Sequence, residues 1–157
     1  DSQTIMSQSL TDRYVAMYTQ GRTRLTAWLD DIDDADLQRQ LDPESNTLAW
    51  LLQHAGEVEL LFAKNIFGRD IEVKAQTIGP NAGKRQQFGP AEDLRALLDR
   101  SGRELREAIA AQDEDAWTKE VTAQFGTLPL QEALARIITH TAYHGGQAHL
   151  TLKYGEA

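Results

Sequence analysis

Cysteine is absent from the 157 residues, which excludes disulfide frameworks, a thiolate nucleophile of the protein's own and cysteine-type zinc sites. Any metal must be held by histidine and carboxylate. No stretch approaches the ~20 consecutive apolar residues that a membrane helix needs, so no membrane partner is expected. The polar segment Asp1 to Leu10 lacks the charged and apolar regions of a signal peptide, and a cytoplasmic setting is expected. Basic residues are in deficit, with 16 Lys and Arg against 24 Asp and Glu and a formal charge of −8. A field of that sign repels a phosphate backbone, so nucleic acid is not an expected partner. No Gly-x-Ser-x-Gly elbow is present, which removes the sequence case for a serine hydrolase.

The length suits one domain spanning residues 1–157, large enough to be held by a single apolar core. The chain opens on Asp1, which makes Met6 a candidate original start, and Asp1 to Ile5 carries no fold expectation.

Four segments repeat apolar residues at i, i+3, i+4 and i+7, the period of an amphipathic helix. The first runs from about Leu10 to Leu29, through Tyr14, Met17, Gly21, Leu25 and Trp28. A second covers about Ser45 to Ile66, opened by Ser45 and Asn46 as candidate caps and stopped near Gly68. The third starts at Gly89-Pro90, with Glu92 and Asp93 at the positive end of the helix dipole, and carries Leu94, Leu97, Leu98, Leu105 and Ile109. The fourth opens around Leu128-Pro129 and continues to about Tyr154, ending in Gly155. Between them lie an acidic link from Asp30 to Pro43 with a helical turn near Ala35 to Leu41, a loop from Arg69 to Phe88, and a connection from Gln112 to Thr127 whose Trp117 to Phe125 part reads as extended. Four such helices without a convincing set of strands predict an all-α four-helix bundle. The 69–88 loop is longer than bundle connections usually are, which marks it as a lid, a partner surface or a mobile segment.

The four histidines carry the chemistry: His54, His140, His144 and His149. His140 and His144 are four apart on one helix, turned only about 40° from each other, so two imidazoles can reach one point. Both fall on a strip shared with Ile137 and Thr151, where apolar residues should continue. A neutral buried histidine has to satisfy both ring nitrogens, and a shared cation relieves two at once. His54 interrupts the second helix between Leu51 and Val58. Alone it reads as a satisfied core histidine; beside the other two it reads as a third ligand, because facing helices of a bundle build metal sites from inward side chains. His149 lies about 140° round the helix from His144 and stays outside the site.

The pairing of Leu48-Ala-Trp-Leu-Leu-Gln-His54 with His140-Thr-Ala-Tyr-His144-Gly-Gly-Gln147 resembles the DinB-like (DinB/YfiT) superfamily of metal-dependent enzymes, which is distinct from the translesion polymerase of similar name. The resemblance extends over nearly the whole chain, including helix order and the long second crossing. It implies a bundle of up-up-down-down type, often a homodimer, with one divalent metal on His54, His140 and His144. Some members are thiol-dependent transferases or isomerases that use low-molecular-weight thiols such as bacillithiol or mycothiol, while others have no established reaction. The resemblance therefore points to a small-molecule substrate and a thiol-dependent transfer, with a metal-dependent hydrolase and a non-catalytic stress-response or dimerisation bundle with a structural metal as alternatives. Imidazole suits zinc, nickel, iron and copper; zinc is expected on availability, with nickel or iron as other occupants.

Around the ligands, Gln147 can orient His144 or serve helix packing, and Glu57 can orient His54, act as a base or complete coordination, although an exposed helix carboxylate is the commoner case. Trp50 and Tyr143 can wall a pocket, although aromatics at helical spacing are more often core. Three other patterns are set aside. His140 to His144 has the spacing of a zinc peptidase motif, but Thr141 stands where the general-base Glu should be. Gly79-Pro-Asn-Ala-Gly83-Lys84-Arg85 is one residue short of a phosphate loop and is expected to be a turn. The cluster Asp30, Asp31, Asp33, Asp34 and Asp36 lacks the Gly and terminal Glu of an EF-hand and reads as a solvated link.

Overall fold

A computed structural model describes residues 8–82 and 87–157. Four helices dominate: α1 (Leu10–Thr26), α2 (Leu48–Asn65), α3 (Ala91–Ala110) and α4 (Leu130–Tyr154), with a two-stranded antiparallel hairpin of β1 (Glu120–Ala123) and β2 (Gly126–Pro129) ahead of α4. The Ser9 hydroxyl caps α1 by accepting from the Asp12 amide at 3.0 Å. The cap of α2 is Thr47, which accepts from the Trp50 amide at 3.1 Å; Ser45 instead closes a turn on Asp42, so the predicted start at Ser45 and Asn46 is early. α1 also ends sooner than its apolar period, and Leu29 opens a short 3-10 turn. In the acidic link, Asp33 and Asp36 form a reciprocal capping box on a second 3-10 turn, and Asp34 accepts from the Ala91 amide at 2.8 Å at the start of α3.

Helix directions follow from cross-helix neighbours. Tyr14 bonds Gln131, Gly21 abuts Ile138, Gly145 sits against Leu25 and Trp28 stacks on His149, so α1 and α4 are parallel. Glu59 meets Ser101 and Gly56 abuts Leu97, so α2 and α3 are parallel too. Arg22 of α1 reaches Leu98 and Ser101, while Thr11 reaches Gln112, which makes α1 and α3 antiparallel. The bundle is therefore up-down-down-up, not the expected up-up-down-down. This order explains the long crossover. Because α3 runs the same way as α2, the chain after Asn65 must climb back the full length of an 18-residue helix, about 27 Å at 1.5 Å per residue.

Two apolar layers fill the interior, one around Leu25, Leu52, Leu94, Leu98 and Ala148, the other around Tyr18, Leu105, Ile109, Trp117, Leu134 and Ile137. Between them lies a buried polar layer. Glu59 of α2 is fully buried and accepts from Arg22 Nε at 3.1 Å, from Ser101 Oγ at 2.8 Å and from the Tyr18 hydroxyl. Burial and the neighbouring Glu59 carboxylate push the Tyr18 phenol well up. Gly102 leaves the space the Arg22 guanidinium occupies, since a Cβ there would meet Cζ and Nη1. Gly145 permits close contact of α4 with α1: a Cβ would lie 3.2 Å from Arg24 O and Leu25 N.

The connection before α4 contains one more strand than the sequence pattern shows. Trp117, expected in the extended part, is in a 3-10 turn and fully buried, and the strands pair Val121 with Leu128 and Thr122 with Thr127. No helix among the described residues is long and apolar enough to cross a membrane.

Candidate metal centre

Antiparallel α2 and α4 bring His54 opposite His140 and His144. One ring nitrogen from each lies within 4.8 Å of the others. Nε2 of His54 and Nε2 of His140 are 3.2 Å apart, and the rings of His140 and His144 are edge to face with centroids 4.4 Å apart. Trp50 stacks on His54 at 4.6 Å, fixing the plane of that imidazole. The histidines are half-buried. The fully buried line of α4 passes through Ile137, Thr141, Gly145 and Ala148, so the ligand candidates stand at the α2–α4 seam beside the core strip on which the sequence placed them.

Partners of the ring nitrogens settle two tautomers. Thr77 donates its hydroxyl proton to Glu57 Oε1 at 2.8 Å, so its oxygen must accept from His54 Nδ1, at 3.0 Å. Gln147 Oε1, an amide oxygen, accepts from His144 Nδ1 at 2.7 Å. In both rings the proton is on Nδ1 and the lone pair is on Nε2, the arrangement a second partner imposes on a metal-ligating imidazole. Gln147 thus has the orienting contact that its spacing suggested.

Glu57 departs from the expectation of an exposed carboxylate. It is 1% exposed and accepts from Gln53 Nε2 at 2.6 Å, from the amides of Gln76 and Thr77 at 2.7 and 2.9 Å, and from the Thr77 hydroxyl. Its contact with His54 runs through Thr77. The crossover therefore supplies part of the site, which the sequence did not show: a hydroxyl in a loop obeys no period, and only the fold returns residue 77 to α2. Tyr143 is not core, as 63% of it is exposed, and its ring meets the edge of His144 at 5.3 Å. His149 lies apart from the group, stacked on Trp28. Of the rejected phosphate loop, Gly79–Asn81 forms a 3-10 turn, and Gly83 to Arg85 lie outside the described residues.

Burial disfavours protonation of all three rings. It holds the His54 imidazole down to about 4, with His144 adding repulsion against the attraction of Glu57. It holds His140 down to about 3, with His144 and His54 adding repulsion, and it lowers His144 against the opposing bond from Gln147. Among the described residues, a neutral trio can satisfy the seam with only one N–H···N contact, from His140 to His54, while His140 Nδ1 is buried without a partner. A cation can engage a lone pair from each ring. Two nitrogens about 2.0–2.1 Å from one tetrahedral ion stand about 3.3 Å apart, close to the spacing of the His54 and His140 Nε2 atoms. The donor set and its geometry fit a divalent ion.

The profile of the DinB superfamily matches residues 17–148. The chain belongs to that superfamily. Among solved structures, this DinB protein is similar to the crystal structure of a conserved protein from Enterococcus faecalis, with a TM-score of 0.62 and 13% identity over 94% of this chain and 98% of the other. That likeness shows the all-α fold, and the superfamily match gives its DinB type. No curated protein matches the chain.

Proposed function

We propose that this DinB protein holds one divalent ion on His54, His140 and His144 and uses it in a thiol-dependent transfer to a small electrophilic substrate. The convergence of three ring nitrogens within 4.8 Å, two of them aimed by Nδ1 partners, carries the reading. When bound, such an ion supplies Lewis acidity that lowers the pKa of a thiol or water placed beside it. The chain supplies the rest. Thr77 and Gln147 hold two lone pairs toward the seam, Trp50 covers one side of His54, and the crossover shields Glu57 from water. With no cysteine in the chain, the thiol is brought by a low-molecular-weight cosubstrate. Zinc is the proposed native ion, with nickel taken up on affinity resin and iron as a further occupant.

A cleft of 650 Å³ lined in part by His140 and Tyr143 favours a reactive centre over a closed structural one. A homodimer belongs to the same reading and is supported by the exposed Tyr143, Leu150 and Tyr154 along α4.

Zinc-loaded protein is to be assayed for transfer of a low-molecular-weight thiol to 1-chloro-2,4-dinitrobenzene and for hydrolysis of p-nitrophenyl acetate. Thiol transfer that disappears on chelation supports the reading. Ester hydrolysis alone transfers the site to the hydrolase alternative, and neither activity, with a marked fall in stability on chelation, makes the ion structural.

A further inference from the structure

The 650 Å³ cleft beside His140 has a charged group that the metal chemistry does not use. Arg136 lies one helical turn before His140 on the same face of α4 and lines that cleft together with Glu132, Thr139 and Phe125. Among the described residues it joins no ion pair, and its guanidinium carbon is 5.3 Å from the centroid of the Phe125 ring. Phe62 of α2 and Phe125 of the hairpin turn, with centroids 6.2 Å apart, line both this cleft and a second cavity of 620 Å³. The second cavity is mainly apolar, with Val58, Leu61, Ile66 and Ile78 in its walls. Both volumes fall in the range of small-molecule sites.

We propose that this double cleft binds a small monocarboxylate with an apolar arm of about phenyl size, and that Arg136 is its specificity-determining anchor. Arginine presents a planar fork that matches a carboxylate, and here it is pre-oriented by its aromatic neighbour Phe125. In a protein of net charge −8 a fixed cation in a cleft is a local exception, and it selects an anion at that point. Glu132 in the same cleft opposes a second negative charge, which favours a monoanion over a dianion. The arm lies on Phe62 and Phe125 toward the apolar cavity, and the atoms next to the carboxylate come beside His140. This assignment rests on the proposed function only for what the three histidines then do to the ligand; binding itself needs no metal.

The test uses metal-free protein, so that a carboxylate cannot bind an ion directly. Calorimetric titration with 4-phenylbutyrate and with 4-phenylbutanol compares charged and neutral heads on one arm. The acid is expected to bind about 10-fold or more tighter than the alcohol, as a charge-assisted contact requires, and to shift the His140 imidazole resonances. Arg136→Gln should bring the acid to the affinity of the alcohol and leave the alcohol unchanged, whereas Phe62→Ala should weaken both. Because Arg136 is exposed, its substitution leaves the core intact. Equal binding of acid and alcohol to the wild type, no acid binding up to its solubility limit, or unchanged acid affinity in Arg136→Gln would overturn the proposal. Acid binding with no metal uptake by the same protein would retain the cleft and remove only the metal chemistry.

Discussion

Thr77 donates its hydroxyl to Glu57 at 2.8 Å across twenty residues of sequence, and this bond fastens the long crossover to α2 beside the His54 imidazole. The same hydroxyl oxygen receives the His54 Nδ1 proton, so a buried carboxylate governs a ring it does not touch.

Breaking that relay should weaken the metal without unfolding the bundle. Thr77→Val keeps the shape and removes the acceptor, and loss of such an orienting partner typically costs about 10–100-fold in metal affinity. Competition with a chromophoric chelator measures it. Affinity equal to wild type would mean that Thr77 only pins the loop.

The polar layer at mid-bundle makes a separate prediction about stability. Glu59→Ala strands the buried Arg22 guanidinium and should cost about 3–5 kcal/mol in urea unfolding. Replacing both partners by apolar residues, Arg22→Met with Glu59→Leu, should recover much of that loss, because neither charge is then left buried alone. A single variant within 1 kcal/mol of wild type would show the pair to be far better hydrated than its burial indicates.

Metal-free protein should lose stability as pH falls through the histidine range. The folded-state values of His54 and His140, about 4 and about 3, lie below the ordinary 6.5, so on acidification the unfolded chain takes up protons first. Their contribution is fully present above about pH 6.5 and declines from there toward pH 4 to 3. Thermal unfolding at pH 7, 6 and 5 should show a steeper decline for the wild type than for His140→Ala, His144→Ala. Parallel declines would mean that the rings are not held neutral by burial.

The three-histidine group was legible in the sequence because two of its members are four apart on one helix and the third breaks an apolar period on another. Bundle architecture was legible for the same reason, since helical periodicity is a local property. Helix direction was not: apolar stripes are the same whichever way a helix runs, and the length of the 69–88 loop, which left a lid, a partner surface and a mobile segment open, also meets the climb that parallel α2 and α3 require. The exposure of Glu57 was misjudged, though not its place near His54, because helical spacing alone does not say that a loop will cover it. Thr77, Phe125 and Arg136 enter the site region through a crossover, a hairpin turn and one helical turn before His140; only the last had a sequence signal, its spacing of four from that histidine.

The ligand assignment separates His144 from His149, two imidazoles on the same helix. His144→Ala should abolish stoichiometric metal binding, while His149→Ala, which loses a stack on Trp28, should retain it. Equilibrium dialysis against zinc distinguishes them, and the reverse pattern would refute the assignment.

Metal content by mass spectrometry, on untagged protein purified without nickel resin, tests the central claim most directly. The account predicts about one divalent ion per chain in the wild type and none in the folded His140→Ala, His144→Ala variant. A wild type that folds and stays metal-free, even after incubation with zinc, would contradict it and leave the three histidines as a neutral hydrogen-bonded cluster at the α2–α4 seam.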